Sequence, residues 1–371
     1  MLILVANLGS TSFKFKLLDM SREGEVVAQG GYERIGQPGS DFASHAEVID
    51  VILKQLTKKP DAIGFKAVHG GPISGAVRVT ADVIATMEQF ADVAPAHNPP
   101  YIAAMKAFAI KLPGTPQVAA FETAFHQTIP MARQVYAIPG EWTEKLGIRR
   151  YGFHGASHKF IATRMAELVG REKSRRIISC HLGGSSSICA ILDGKSVGHS
   201  MGLTPQTGLP QNNRVGDFDT FALLRLMKHG YSVEDILKKL GKEGGLLGIS
   251  GVSNDMRDIE KAAATGNAKA QLAIDAFVDS VRHYIGAYLV ALGGIDALVF
   301  TGGIGENGAM IRRAICHNLR FAGLQLDEQK NNVRSREIKI SAVESGAEIW
   351  IVPANEEIVV ARQTLSVINA N

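Results

Sequence analysis

Glu122 and Glu356 each stand just after an apolar, strand-like run, where a carboxylate can hold a divalent cation through its oxygens and water. Arg214 lies between Asn213 and Val215 in a stretch poor in positive charge, and a guanidinium there can stabilise a transferring phosphoryl group. His69, His97, His154 and His181 fall near Gly or Pro, in loops or at strand ends rather than on helical faces. Four such positions point to a polar cleft, and their spacing does not match zinc. TGGIGEN at 301–307 joins an apolar run to a helix, a place where backbone amides and a helix N-terminus favour a phosphate or a nucleotide. Glu306 makes it neither a Walker loop nor a dinucleotide fingerprint. Taken singly, each signal also reads as a solvated loop acid, a surface arginine or a strand-to-helix turn.

The elements that must position these groups come in two copies. NLGSTSFKFKLLD at 7–19 and HLGGSSSICAILD at 181–193 align at an offset of 174, agreeing at Leu8/Leu182, Gly9/Gly183, Ser12/Ser186, Leu18/Leu192 and Asp19/Asp193. Each follows an apolar run (2–6 and 176–180), passes through a Gly/Ser turn and leaves through another run dominated by apolar residues, which is a hairpin signature. A turn of Gly and Ser lets backbone N–H groups and hydroxyls approach phosphate oxygens closely. Two such turns, at the heads of the two chain halves, predict a duplicated fold that grips a polyphosphate from both sides.

The 371 residues suffice for two domains, each with its own core. With 46% hydrophobic and 20% charged residues the chain reads as globular, not disordered. Its net charge of +4 comes from scattered Lys and Arg, not a basic stripe, so no nucleic acid is expected as partner. The N-terminal apolar run ends at Ala6 without a basic region before it, so no secretory leader is expected, and Asp296 and the Gly293-Gly294 pair break the most apolar long segment, 284–300. Cys180, Cys189 and Cys316 fit neither a disulfide framework nor a metal site; they are expected as buried thiols of a cytoplasmic protein, with Cys180 and Cys189 as cross-strand neighbours.

Strand and helix patterns alternate throughout, which predicts α/β domains. Helices are expected at about 43–58, after the Pro99-Pro100 pair with Asn98 as its cap, from about 155, at 220–229, 233–240 and 267–293, and at the C-terminus, packed back on the first domain. Residues 241–260 read as a Gly-rich loop feeding a helix, and 302–307 as a Gly-rich loop. The domains are placed at 1–125 plus 357–371 and at 126–356.

Together NLGSTSFKFKLLD, AVHGG, APAHNPP, AFETAFHQTIP, RRYGFHGASHKF, HLGGSSSI, SMGLTPQTGL, RVGDFD, GLLGISGVSNDMRDIE, TGGIGEN and PANEE resemble the acetate kinase family, in its order and along nearly the whole chain. The resemblance implies the superfamily of sugar kinases, actin and the heat-shock chaperone ATPase, with two duplicated α/β domains and nucleotide in the cleft between them. It implies that Asn7, Ser10, Ser12 and Lys14 lie at the phosphate end of the first domain, with Asn7 and Glu356 near Mg²⁺ or Mn²⁺. His154 and Arg214 would contact the phosphoryl group in flight, and His97 and His181 would support the site, with His181, Gly183, Gly184 and Ser185 at the nucleotide. Asp255, Arg257 and the loop containing Gly302, Gly303, Ile304, Gly305 and Asn307 would hold the adenosine. Val68, Ala96, Phe153 and Pro205 would line the acyl pocket, with Lys66 and His97 beside them. The implied reaction is direct in-line transfer between the γ-phosphate of ATP and the oxygen of a short-chain carboxylate, in a homodimer.

The chain departs from that pattern at five places. Lys66 replaces an arginine and loses its planar grip; Glu122 replaces an aspartate; HLGGSSS replaces HLGNGAS; Pro210 to Asn213 replace MMGT; and Ala96 replaces a larger apolar residue. The first three favour a nucleotide-binding relative with a regulatory or assembly role, and His154, Arg214 and Glu356 oppose it. Ala96 points to an acid longer than acetate, and the run before Arg214 to a more polar one. Lys66, Arg214, His154 and Glu122 are the expected catalytic groups. Pyrophosphate in place of ATP is disfavoured by the open Gly303-Ile304 loop.

Overall fold

The computed structural model describes residues 1–95, 97–334 and 336–370. Among the described residues twelve strands form two six-stranded mixed sheets. The first sheet contains β1 (Leu2–Leu8), β2 (Phe13–Asp19), β3 (Glu25–Tyr32), β4 (Ala62–Ala67), β5 (Ala76–Arg78) and β6 (Gln117–Phe121). The second contains β7 (Arg176–His181), β8 (Ser187–Leu192), β9 (Lys195–His199), β10 (Ala297–Thr301), β11 (Ile338–Lys339) and β12 (Glu348–Ile351). The first has the order β3-β2-β1-β4-β6-β5, and the second, read from its opposite edge, β9-β8-β7-β10-β12-β11. Each is an antiparallel meander joined to two parallel strands and closed by an antiparallel edge strand.

The repeated hairpins are β1–β2 and β7–β8, paired Leu8↔Phe13 and His181↔Ser187 nearest their turns. Each copy's following antiparallel pair carries one register shift, between Leu17 and Leu18 in the first and Ala190 and Ile191 in the second. A shift of this kind bends and twists a ribbon.

Each sheet has one large apolar core. Leu4, Phe13, Phe65, Tyr101 and Phe108 lie in the first, and Ile178, Phe277, Ile285, Leu298 and Phe300 in the second. The opposite faces meet two helices, Gly155–Val169 and Glu356–Asn369, which also touch each other. Ile3, Val5, Ala62 and Ala120 pack with Ile358, Val360 and Ala361, while Ile177, Ile191 and Val299 pack with Ile161 and Met165. These two helices begin beside the strand ends that carry the candidate site.

Five expectations are corrected. Asn98 is not a cap: the helix Asn98–Lys111 starts with it, no side chain caps that end, and its buried amide donates to the carbonyls of His69 and Met87 at 3.0 Å. The 302–307 segment is a helical turn, and 241–260 contains a further helix, Gly245–Ser250. The first helix spans only His45–Gln55, capped by Ser44. Cys180 and Cys189 are not opposite one another: the register sets Cys189 against Ser179 and Cys180 against Ile188, so the two buried thiols face different cores. No helix among the described residues is long and apolar enough to cross a membrane.

Candidate active site

Lys66 lies in β4, Glu122 follows β6, and Glu356 opens the helix Glu356–Asn369. The parallel register Ala67↔Phe121 brings the first two together at the carboxyl ends of their strands, where open α/β sheets bind ligands. Lys66 Nζ donates to Glu356 Oε2 and stands 3.8 Å from Glu122 Oε1. All three side chains are at least 85% buried, with exposures of 15%, 13% and 6% for Lys66, Glu356 and Glu122. Burial alone would lower the Lys66 ammonium, but the charges of Glu122 and Glu356 outweigh it and hold it above its usual value. Burial pushes the Glu122 carboxyl up, and Lys66 only partly offsets this. Burial also opposes ionisation of Glu356, yet Lys66 and His181 bring its carboxyl below the ordinary range.

Both carboxylate oxygens of Glu122, and Oε1 of Glu356, are buried without a hydrogen-bond partner. The N–H groups of His154 and Gly155 come close enough to favour ionised Glu122 without reaching hydrogen-bond geometry. Gly155 is required here: its N–H donates to the Glu122 carbonyl at 3.0 Å, and a Cβ would stand 2.2 Å from that oxygen. His154, just before the helix, holds a left-handed φ of 55°, a strained conformation of the kind that gathers at functional sites.

Around this knot five imidazoles gather. The His154 and His181 rings stack at 4.2 Å with 24° between planes, and His126 and His199 lie 4.2 Å apart with His158 beside them at 5.9 and 5.3 Å. Burial foremost, then neighbouring positive groups, holds His154, His158 and His199 well below the usual imidazole value. His97 is lowered to about 4 by burial, then by Arg214 and Lys66, so it senses both cations.

Arg214 is half-buried beside the second turn. Its Nη1 is 3.4 Å from each of Ser185 Oγ, the Pro205 carbonyl and Gln211 Oε1. Gln211 is fully buried, donates to Pro205 O at 2.8 Å and accepts from Ser185 Oγ at 2.8 Å. The first turn is braced by Gly9 N–H to the Ser12 carbonyl at 2.9 Å and by His45 Nε2 to the Gly9 carbonyl at 3.1 Å. Ser10 and Lys14 are exposed, and Asn7, paired with Lys14 across the hairpin, is half-buried.

A cavity of about 470 Å³ opens between the second turn and two helix starts. Gly183, Gly184, Asp255, Arg257, Ile304 and Asn307 line it, and Gly303 stands among them. The Leu182 carbonyl accepts from Ile304 N at 2.8 Å and Gly305 N at 3.0 Å, pinning the 302–307 turn to the second hairpin turn. Gly302, at φ 77°, abuts the same carbonyl, and a Cβ there would come within 2.7 Å of it. Asp255 caps the helix Met256–Ala264 and pairs with Arg257 at 2.5 Å. Among the residues expected at the acyl pocket, Phe153 and Pro205 are buried and Val68 half-buried, and His69 next to Val68 lies 5.9 Å from Phe153, ring to ring. Ala96 lies outside the described residues.

Sequence reasoning missed His158, His199, Ser157, Ser179 and Ser187 as parts of this site, and flagged Gln211 only within the run of departures before Arg214. A signal existed for His158, a second histidine four residues after His154 in the same motif, one turn into the helix that follows it. It also missed that Asn212 Nδ2 stands 3.3 Å from the point a Cβ at Gly184 would occupy. Among the described residues no group of three or more His, Cys, Asp or Glu could hold a metal alone. The orphaned oxygens of Glu122 and Glu356, and the amide of Asn7 at the end of β1, the strand beside the one that carries Lys66, have the hard-oxygen chemistry that suits a cation keeping part of its water.

Residues 2–362 match the model of the acetokinase family. The acetate kinase of Carboxydothermus hydrogenoformans is 42% identical, with 99% of each chain covered. Among solved structures, Porphyromonas gingivalis acetate kinase superposes with a TM-score of 0.91 at 39% identity, and a propionate kinase from Francisella tularensis with 0.92 at 37%, each covering 99% of both chains. Their two duplicated domains are the two six-stranded halves described above. Matched almost end to end in sequence and in fold, the chain belongs to the acetokinase family.

Proposed function

We propose that this protein transfers the γ-phosphoryl group of ATP to a carboxylate oxygen of acetate or propionate, reversibly and in line. The observation that supports it most is the gathering of Lys66, Glu122, Glu356, His154 and His181 where both sheets end, with Arg214 beside the second turn. Phosphoryl transfer asks the protein for position and charge neutralisation rather than a covalent partner. Lys66 and Arg214 neutralise the acceptor and the transferring group, His154 hydrogen-bonds it, and His97 and His181 flank it. Glu122 orients the acceptor. Ser10, Ser12, Lys14, Gly183, Gly184 and Ser185 take the phosphates, and the 470 Å³ cavity takes the nucleoside. Val68, Phe153 and Pro205 form the apolar wall; Ala96, expected with them, lies outside the described residues. Asn7 and Glu356 would hold Mg²⁺, which supplies charge neutralisation between phosphates.

The division at 1–125 plus 357–371 and 126–356 is proposed on the same grounds, as is a cytoplasmic location. A homodimer is supported by apolar side chains left exposed on neighbouring helices, with Phe221 at 79%, Leu224 at 66% and Leu237 at 59%; a sedimentation mass of one protomer would refute it. The test of activity is hydroxamate-trapped acyl phosphate from ATP and Mg²⁺ with acetate, propionate, butyrate and hydroxylated acids. Turnover is expected to peak at acetate or propionate and to fall by roughly 100-fold or more in Arg214→Ala. Undiminished turnover in that variant overturns its role, and ATP binding without turnover of any acid favours a regulatory protein.

A further inference from the structure

We infer that His158, acting with Ser179 and Ser187, dictates which nitrogen of His154 carries its proton, so that His154 offers an Nε2–H donor to the reacting phosphoryl group. The inference rests on the phosphoryl-transfer reading above and adds positioning residues to it. Four side chains form one line. Ser179 Oγ is 2.9 Å from His158 Nδ1, His158 Nε2 is 2.9 Å from Ser187 Oγ, and Ser187 Oγ is 2.8 Å from His154 Nδ1. Ser179, His158 and Ser187 are each 0% exposed, so water cannot supply a missing partner.

The polarity of that line follows from its closed end. Among the described residues Ser179 Oγ has no partner other than His158. Were it to accept from His158, its own hydroxyl proton would be buried and unmatched, which is the costly arrangement for a polar group away from water. Ser179 therefore donates, and His158 Nδ1 accepts. A neutral imidazole has one N–H, which must then be on His158 Nε2 and must point to Ser187. The Ser187 hydroxyl, accepting from His158, gives its proton to His154 Nδ1. His154 is left with its hydrogen on Nε2, the nitrogen that has no partner among the described residues. With the opposite polarity a lone pair would face the phosphoryl oxygens and repel them.

His181 is set by the same device. Its Nδ1 lies 2.8 Å from Ser157 Oγ, a hydroxyl that is 0% exposed and has no other partner among the described residues. Ser157 donates, and His181 too bears its hydrogen on Nε2. That nitrogen lies 3.9 Å from the point a Cβ on Gly183 would occupy, within the second turn. Two stacked, neutral donors thus stand side by side, an arrangement that two imidazolium ions would resist by mutual repulsion.

The test begins with the unaltered protein, labelled with ¹⁵N-histidine, in which long-range ¹H–¹⁵N spectra report the protonated nitrogen of each ring. His154, His158 and His181 are expected as Nε2–H forms; His154 found as the Nδ1–H form overturns the inference, whatever the protein's activity. In Ser179→Ala the line loses its anchoring donor. The expected result is loss of the single His154 form and a kcat lower by about tenfold, with KM for ATP and acetate changed by less than about twofold. Ser179→Thr restores both. His158→Gln, whose amide can still donate to Ser187, is expected to retain more activity than His158→Met. A Ser179→Ala protein with unchanged kcat and an unchanged His154 spectrum refutes the relay. Absence of kinase activity in wild type would instead refute the phosphoryl-transfer reading, and the spectra separate the two failures.

Discussion

Lys66 is the residue on which the charge balance of the cleft turns. It sits between two buried carboxylates: among the described residues, the Glu356 side chain has a hydrogen bond from Lys66 alone, and the Glu122 side chain has none. Removing one member of such a group leaves uncompensated buried charge, at about 3–5 kcal/mol. Lys66→Met is therefore expected to lower the unfolding free energy by about that amount, measured by denaturant titration, and to abolish detectable acyl phosphate formation. Lys66→Arg is expected to keep the fold, since the charge stays. Position 66 was legible only through the family resemblance, whereas Glu122 and Glu356 stood out after apolar runs, His154 between glycines, and Arg214 as a lone cation in a stretch poor in positive charge. What surrounds them was not. Ser179 and Ser187 lie in apolar strands, where a serine reads as a small tolerated residue, and only the register across the sheet brings them to His158. Asn98 was misread because asparagine suits a helix cap as well as it suits a buried bracket between loops. Gly184 and Asn212 looked like two separate departures from the family pattern. They share one space: the glycine leaves the room that the Asn212 amide fills.

At the scale of elements, the helix Gly155–Val169 holds the site together by resting its first turn on the end of β6. The contact tolerates no side chain, since a Cβ at position 155 would overlap the Glu122 carbonyl, a backbone atom that cannot swing away. Gly155→Ala is expected to push the helix start away from Glu122, cutting kcat by roughly tenfold or more while the protein loses about 1–3 kcal/mol of stability. Equal activity with lowered stability would show that Glu122 does not depend on this contact. The strands and long helices were readable because apolar runs bounded by Gly, Pro and Asn carry period and boundary together. The turn 302–307 was not, because three of its six residues are glycines, poor helix formers. Tertiary contacts override that preference: the Leu182 carbonyl collects two of its N–H groups, and Glu306 accepts from Gly302 N at 3.0 Å and from Ala354 N at 3.1 Å.

At the scale of the whole molecule, the duplication was visible in two short motifs, but the matching strand orders of the two sheets were not, since few side chains outside the hairpins agree. The same packing sets a pH dependence. His69 and His126 are held near 4 by burial, and His154, His158 and His199 lie well below their usual value. A folded-state pKa below the unfolded 6.5 means that the unfolded chain binds protons the native one refuses, so stability falls as the pH drops from about 6.5 towards 4. His69, fully buried, alone accounts for about 3 kcal/mol over that interval. With His97, also held near 4, unfolding at pH 5 is expected to take up about six protons at these imidazoles, measurable as the slope of unfolding free energy against pH; a flat profile would show that these imidazoles are charged in the native state. The helix Glu356–Asn369 also reaches beyond equilibrium. It covers β1 and β4 through Ile358, Val360 and Ala361, yet it is made almost a whole chain length after them. On the ribosome, Ile3, Val5 and Ala62 therefore emerge early and wait bare through most of translation. The half of the molecule that is synthesised first is the half completed last, and its exposed strands are the surface most in need of protection in the nascent chain.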